Sequence, residues 1–190
     1  MGILQDRVAL VTGSSRGIGK AIARALAHAG AKVALCARNA EEVRKAADEI
    51  SPGDGRVLGF RADVTDKADV RNLVQAIVAR WGQIHILVNN AGANARIPIE
   101  SDDDARWRAV LDSTVLGAYY VTREVLRHMP DRTPPDGGVP GGRVINLSSI
   151  LGRFGVPGYT AYCTAKHGII GFTRALALEV ADRGITVNAI

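Results

Sequence analysis

Apolar residues fall along this chain in short runs separated by longer stretches of helical period. Arg7–Val11, Val33–Ala37, Val57–Phe60, Ile84–Val88, Val144–Ser148 and Thr186–Ile190 read as six strands. They are too short and too continuously apolar for amphipathic helices, as expected of strands buried on both faces. Between them, Ile18, Ile22, Ala25, Leu26 and Ala29 recur at helical spacing within Ile18–Ala29. Glu41–Ile50, Lys67–Trp81, Asp102–Met129 and Ala161–Arg183 read as further helices. Alternation of this kind implies right-handed crossovers, and so an α/β fold: a Rossmann-type, doubly wound parallel sheet with helices on both faces. The segment Pro130–Gly142 holds four prolines and four glycines and reads as an exposed loop, with a domain linker as its rival.

Composition narrows the class. The 190 residues are 47% hydrophobic, 23% charged and 5% aromatic, the profile of a folded single domain spanning 1–190. No apolar run is long enough to cross a membrane, and the first residues lack the pattern of a secretory signal. The net charge of +5 comes from dispersed residues such as Glu41, Glu42, Arg44 and Lys45. These read as solvated helix faces rather than a nucleic-acid surface. Cys36 and Cys163 have neither the number nor the spacing of a disulfide framework or zinc site, which implies a reducing, cytoplasmic setting. No His/Cys/carboxylate cluster suggests a metal.

The chemistry concentrates after the first strand. Thr12-Gly13-Ser14-Ser15-Arg16-Gly17-Ile18-Gly19 opens an amphipathic helix. Glycines there let a ligand approach the backbone, and the helix N-terminus attracts an anion. The spacing is T-G-x-x-x-G-x-G rather than G-x-G-x-x-G, since position 22 is Ile. At the end of the second strand, where an acid would take a ribose 2′-hydroxyl, stand Cys36-Ala37-Arg38-Asn39. Arg38 and Arg16 could converge on a 2′-phosphate, which favours NADP(H) over NAD(H). They could also be ordinary surface residues.

With these motifs the sequence resembles the short-chain dehydrogenase/reductase family over essentially its whole length. Asp63-Val64 stands where the family holds the adenine, and Asn89-Asn90-Ala91-Gly92 matches its NNAG segment. Tyr162-Cys163-Thr164-Ala165-Lys166 matches Y-x-x-x-K, and Ser149 lies thirteen residues before that Tyr. Each has a plainer reading alone. Asp63 could cap a helix, the asparagines could be turn residues, and Ser148 and Ser149 could be strand-end caps. The local flavour is similar to 3-oxoacyl-carrier-protein reductases and polyketide ketoreductases.

The resemblance implies a ketone–alcohol oxidoreductase, acting on a free small molecule or one carried on a thioester. Ser149, Tyr162, Lys166 and Thr114 would be its catalytic set. Gly13, Ser14, Ser15, Arg16, Gly17, Ile18, Gly19, Arg38, Asp63, Val64, Asn90, Ala91, Gly92, Tyr162 and Lys166 would hold NADP(H). Tyr162 and Lys166, four apart on a helix, share a face. A neighbouring ammonium favours a phenolate, so the phenol can exchange a proton with the substrate oxygen. Ser149 would stabilise charge on that oxygen. Thr114 stands where the family usually has Asn, and could hold a water or turn back onto its own helix carbonyl. That departure motivates the alternative of a weak or inactive NADP(H)-binding sensor or partner subunit. Relatives pack the helices corresponding to Asp102–Met129 and Ala161–Arg183 into a homodimer or homotetramer, although apolar residues there could equally be core. Against the family, the chain looks truncated after the sixth strand, with its C-terminal part missing.

Overall fold

Val8, Ala9, Leu10 and Val11 are all buried, and successive side chains of a strand point to opposite faces. Both faces of this strand must therefore be covered. The computed structural model describes residues 2–131 and 141–190 and shows how. Strands β1 (Val8–Thr12), β2 (Lys32–Ala37), β3 (Val57–Arg61), β4 (Ile86–Asn89), β5 (Arg143–Asn146) and β6 (Thr186–Ala189) form one sheet. All pairs are parallel, in the order β3-β2-β1-β4-β5-β6. The chain winds outward from β1 in both directions, so a crevice opens at the carboxyl ends of β1 and β4, where such sheets bind ligands.

Helices α1 (Gly17–His28) and α2 (Ala40–Ile50) cover one face. Ala9, Val11, Val33, Leu35 and Val88 meet Ala23, Val43, Ala46 and Ala47 there. Helix α3 (Lys67–Trp81) covers the other face, where Leu10, Ala34, Leu87 and Val144 meet Leu73, Val74 and Ile77. Local chemistry sets the helix starts. Asn39 Oδ1 accepts from the N–H groups of Glu41 and Glu42, and Asp66 Oδ1 from those of Ala68 and Asp69. Each cap satisfies donors that a first turn leaves without partners.

The long predicted helix is three pieces. Helix α4 (Asp104–Leu111) runs into a π-helical turn at Asp112–Leu116, closed by Gly117 N–H donating to Asp112 C=O, and continues as α5 (Gly117–Val125). The predicted helix Ala161–Arg183 begins one residue earlier as α6 (Thr160–Glu179), followed by a 3₁₀ turn at Ala181–Arg183 and a left-handed Gly184. Of the predicted loop Pro130–Gly142, residues 132–140 lie outside the described residues. Among the described residues no helix is long and apolar enough to cross a membrane.

His85 fastens the amino end of the sheet. Its Nδ1 accepts the Val8 N–H at 3.0 Å, and its Nε2 lies 3.1 Å from the Gln83 amide. The accepting nitrogen must be unprotonated. Burial, with the charges of Arg7 and Lys32, pushes the imidazole pKa down. Below pH ~6.5 the unfolded chain takes up a proton that the fold resists, so stability falls with falling pH from there through the lowered folded value. Urea midpoints between pH 7.5 and 5 should drop in the wild type, and drop less steeply in His85→Gln.

Candidate active site

The glycine turn lies between β1 and α1. Gly13 and Gly17 have φ of 62° and 58°, a left-handed conformation costly for other residues. Gly19 is required for a different reason: a methyl group there would lie 2.5 Å from both Asn90 Nδ2 and the Gly13 carbonyl oxygen. Ser14 ties the turn to β2, donating to Val11 C=O at 2.7 Å and accepting from Cys36 N–H at 2.9 Å. Arg16, at the N-cap of α1, provides no side-chain cap, and nothing lies within 4 Å of where a side chain on Gly17 would project.

Thr12 joins this turn to the segment after β4. Its Oγ1 accepts from Asn90 N–H and Ala91 N–H at 3.1 and 3.0 Å. Asn90 Nδ2 returns two bonds of 2.9 Å, to Thr12 C=O and Gly13 C=O. The sequence names Thr12 as the first residue of the glycine motif but gives no sign that its hydroxyl joins the turn to the segment after β4. Behind it, Asn89 Nδ2 donates to Asn146 Oδ1 and Thr122 Oγ1, each at 2.8 Å, and Asn146 Nδ2 donates to Thr173 Oγ1 at 2.9 Å. This buried polar chain fixes α5 and α6 to the carboxyl ends of β4 and β5.

Along these ends runs a cavity of about 560 Å³. Of the predicted cofactor residues, Gly13, Ser15, Arg16, Arg38, Asp63, Val64, Ala91 and Gly92 line it. Ser14, Gly19 and Asn90 form the frame behind. Asp63 does not cap α3; Asp66 does. Its Oδ1 accepts from Thr65 N–H and Oγ1 at 2.9 and 2.8 Å. Burial raises the Asp63 pKa, but the Thr65 donors and the charges of Arg38 and Arg61 outweigh it, and the net shift is downward. Cys36 also lines the cavity, but burial pushes its thiol up to about 12, helped by Asp63 and Asp69, so it stays protonated.

Tyr162, Lys166, Ser149 and Thr114 lie outside that lining. Tyr162 sits in the first turns of α6, and Lys166 Nζ lies 5.6 Å from its ring centroid. Lys166 is buried, and its Nζ donates to Leu147 C=O at 2.6 Å. Ser148 Oγ donates back to Lys166 C=O at 3.1 Å, so two bonds tie α6 to the segment after β5. Burial lowers the Lys166 pKa to about 8. Ser149 caps a 3₁₀ turn at Ile150–Gly152, its Oγ accepting Leu151 N–H at 3.2 Å. The Ser149 hydroxyl donates to no acceptor among the described residues.

Thr114 occupies the π turn and is buried, and its Oγ1 has no partner among the described residues. It does not turn back onto its own helix; neighbouring Ser113 does, donating to Ala109 C=O at 2.7 Å. Thr114 faces Gly92 instead: a methyl group on Gly92 would lie 2.9 Å from Thr114 Oγ1. An unpartnered buried hydroxyl is costly, and a water or ligand group reaching it would remove that cost.

A family model described as short chain dehydrogenase matches residues 7–190. The chain is 40% identical over 189 residues to the 3-oxoacyl-[acyl-carrier-protein] reductase FabG of Haemophilus influenzae, covering 98% of this chain and 73% of the relative. It is 41% identical over 192 residues to a protein assigned as ketoacyl reductase 1 of the granaticin polyketide synthase of Streptomyces violaceoruber, covering 100% and 68%. A crystal structure from Sinorhizobium meliloti 1021, of a protein classed as a short-chain alcohol dehydrogenase, superimposes with a TM-score of 0.88 at 38% identity. That match covers 98% of this chain and 71% of the other.

Proposed function

The chain belongs to the short-chain dehydrogenase family, and from that premise we propose that it is an NADP(H)-dependent ketoreductase. Its substrate would be an acyl-thioester or polyketide-like ketone, and its product the secondary alcohol. The observation that carries this reading is the pairing of the Tyr162 ring with a buried Lys166 ammonium held by Leu147 C=O.

The residues that line the cavity support a dinucleotide reading. The lining includes Arg16 and Arg38 as well as Gly13 and Gly92, and Gly92 faces Thr114. Gly13, Gly17 and Gly19, with the first N–H groups of α1, would bring backbone to the pyrophosphate. Arg38 with Arg16 would take the 2′-phosphate, and Asp63 and Val64 the adenine. When bound, the nicotinamide supplies the hydride for the carbonyl carbon. Tyr162 donates its phenolic proton to the carbonyl oxygen as charge develops there. Ser149 donates a hydrogen bond to the same oxygen. Lys166 holds ribose hydroxyls and keeps positive charge beside the phenol. Thr114 Oγ1 holds a water that returns a proton toward Lys166. The proposal extends to a homo-oligomer in the cytoplasm, consistent with free Cys36 and Cys163.

The chain offered NADPH and a β-ketoacyl thioester should oxidise the cofactor in step with alcohol formation. Arg38→Asp should lower the NADPH-to-NADH ratio of kcat/KM by about tenfold or more, since a charge-assisted phosphate contact becomes a repulsive one. An unchanged ratio would mean that the phosphate is read elsewhere. A second reading, a binding subunit without turnover, draws on Thr114 in place of the family's Asn. Tight NADPH binding with no turnover across a panel of ketones would establish it.

A further inference from the structure

Glu42 shares the cavity with Arg16 and Arg38, and no family motif accounts for it. It lies in the first turn of α2, three residues after the Asn39 cap. Its Oε2 accepts from Ser15 Oγ at 3.3 Å, and its Oε1 from Asn39 Nδ2 at 3.4 Å. Both contacts are long for their type, so the carboxylate is loosely held. The helix does not depend on them: its backbone cap uses Asn39 Oδ1 and the N–H groups of Glu41 and Glu42.

Ser15 and Asn39 line the same cavity as Arg16 and Arg38, and Ser15 Oγ and Asn39 Nδ2 are uncharged donors there. They are the groups a phosphate placed there would use, and Glu42 already engages both. No hydrogen bond or ion pair of the Arg16 or Arg38 side chains occurs among the described residues, so the guanidiniums keep their donors.

We propose that Glu42 is a specificity-determining residue whose carboxylate competes with a nucleotide 2′-phosphate for this subsite. The inference rests on the reading of Arg38 and Arg16 as phosphate ligands. A phosphate seated there must displace the carboxylate from Ser15 and Asn39 and tolerate its charge nearby. A ribose 2′-hydroxyl has no such conflict, because it can donate to the carboxylate in place. Arg38 and Glu42 therefore pull in opposite directions, and together they narrow the gap between the two nicotinamide cofactors.

Calorimetric titration of the full chain with adenosine 2′,5′-bisphosphate and with adenosine 5′-monophosphate tests this without turnover. Glu42→Gln keeps the side chain's shape and removes its charge. It should tighten the bisphosphate about tenfold and leave the monophosphate within about twofold, the gain shrinking at high salt. A bisphosphate affinity that is unchanged or weaker in Glu42→Gln overturns the proposal, as does a drop in thermal midpoint with no change in the affinity ratio. Arg38→Ala separates the two layers. If it weakens the bisphosphate alone while Glu42→Gln changes nothing, the arginine reading stands and the Glu42 proposal falls. If the wild type binds both nucleotides alike and Arg38→Ala alters neither, both fall.

Discussion

Tyr162→Phe lowers kcat for ketone reduction by about 10²–10⁴-fold and leaves the NADPH dissociation constant within about twofold. The substitution removes one oxygen. The ring remains packed with Ala161, Ala165 and Val110, so the fold of α6 is kept. The proton that must reach the carbonyl oxygen then has no donor at this position. Because that transfer belongs to the transition state, kcat and kcat/KM fall together while KM is nearly unchanged. Stopped-flow binding and steady-state kinetics on the same preparation separate the two effects. A variant with wild-type kcat would remove Tyr162 from the chemistry.

Lys166→Met has the second-largest effect, about 10²-fold in kcat/KM, and it changes two pH dependences at once. In the wild type the ammonium is buried and titrates at about 8. Above that pH the charge beside Tyr162 disappears, so kcat/KM for reduction should decline with an inflection near 8. Stability should move the opposite way. In the unfolded chain lysine holds its proton to about 10.4, so between about 8 and that value only the unfolded state carries it. Folding is then favoured progressively as pH rises through this window, and the fold is disfavoured by the charged lysine below it. Met keeps an unbranched side chain of similar length but carries no charge, which flattens both profiles. Kinetics and urea midpoints from pH 7 to 10 check the pair. An inflection near 8 that persists in Lys166→Met would assign it to another group.

Much of this was legible in the sequence, for reasons that differ by element. Helix α3 spans Lys67–Trp81 as the periodicity predicts, because Asp66 caps one end and Gly82 closes the other. Strand β4 was placed two residues early. Ile84 and His85 are apolar or buried enough to resemble strand, but Ile84 N–H pairs with His128 C=O, and the ladder to β1 begins at Ile86. The candidate cofactor residues follow from local motifs, since turn, strand end and helix start are contiguous in sequence. Thr114's surroundings do not. A π turn needs one extra residue in a helix, and the hydrophobic pattern of Asp102–Met129 carries no mark of it. Glu42 was legible only as one charge among several on a helix, because its meeting with Ser15 depends on how β1 and β2 pair.

The π turn also rotates one half of a helix against the other. Val110 and Val121 are eleven residues apart. At about 100° per residue, an unbroken helix would present them within about 20° of one another. The extra residue sets α5 back by roughly 100°. Val110 accordingly packs with Ala161, Ala165 and Ile97, while Val121 and Val125 pack into the main core with Leu10, Leu73 and Leu87. The turn that leaves the Thr114 hydroxyl without a partner is thus a phase shifter, through which one continuous helix serves two hydrophobic cores facing different ways.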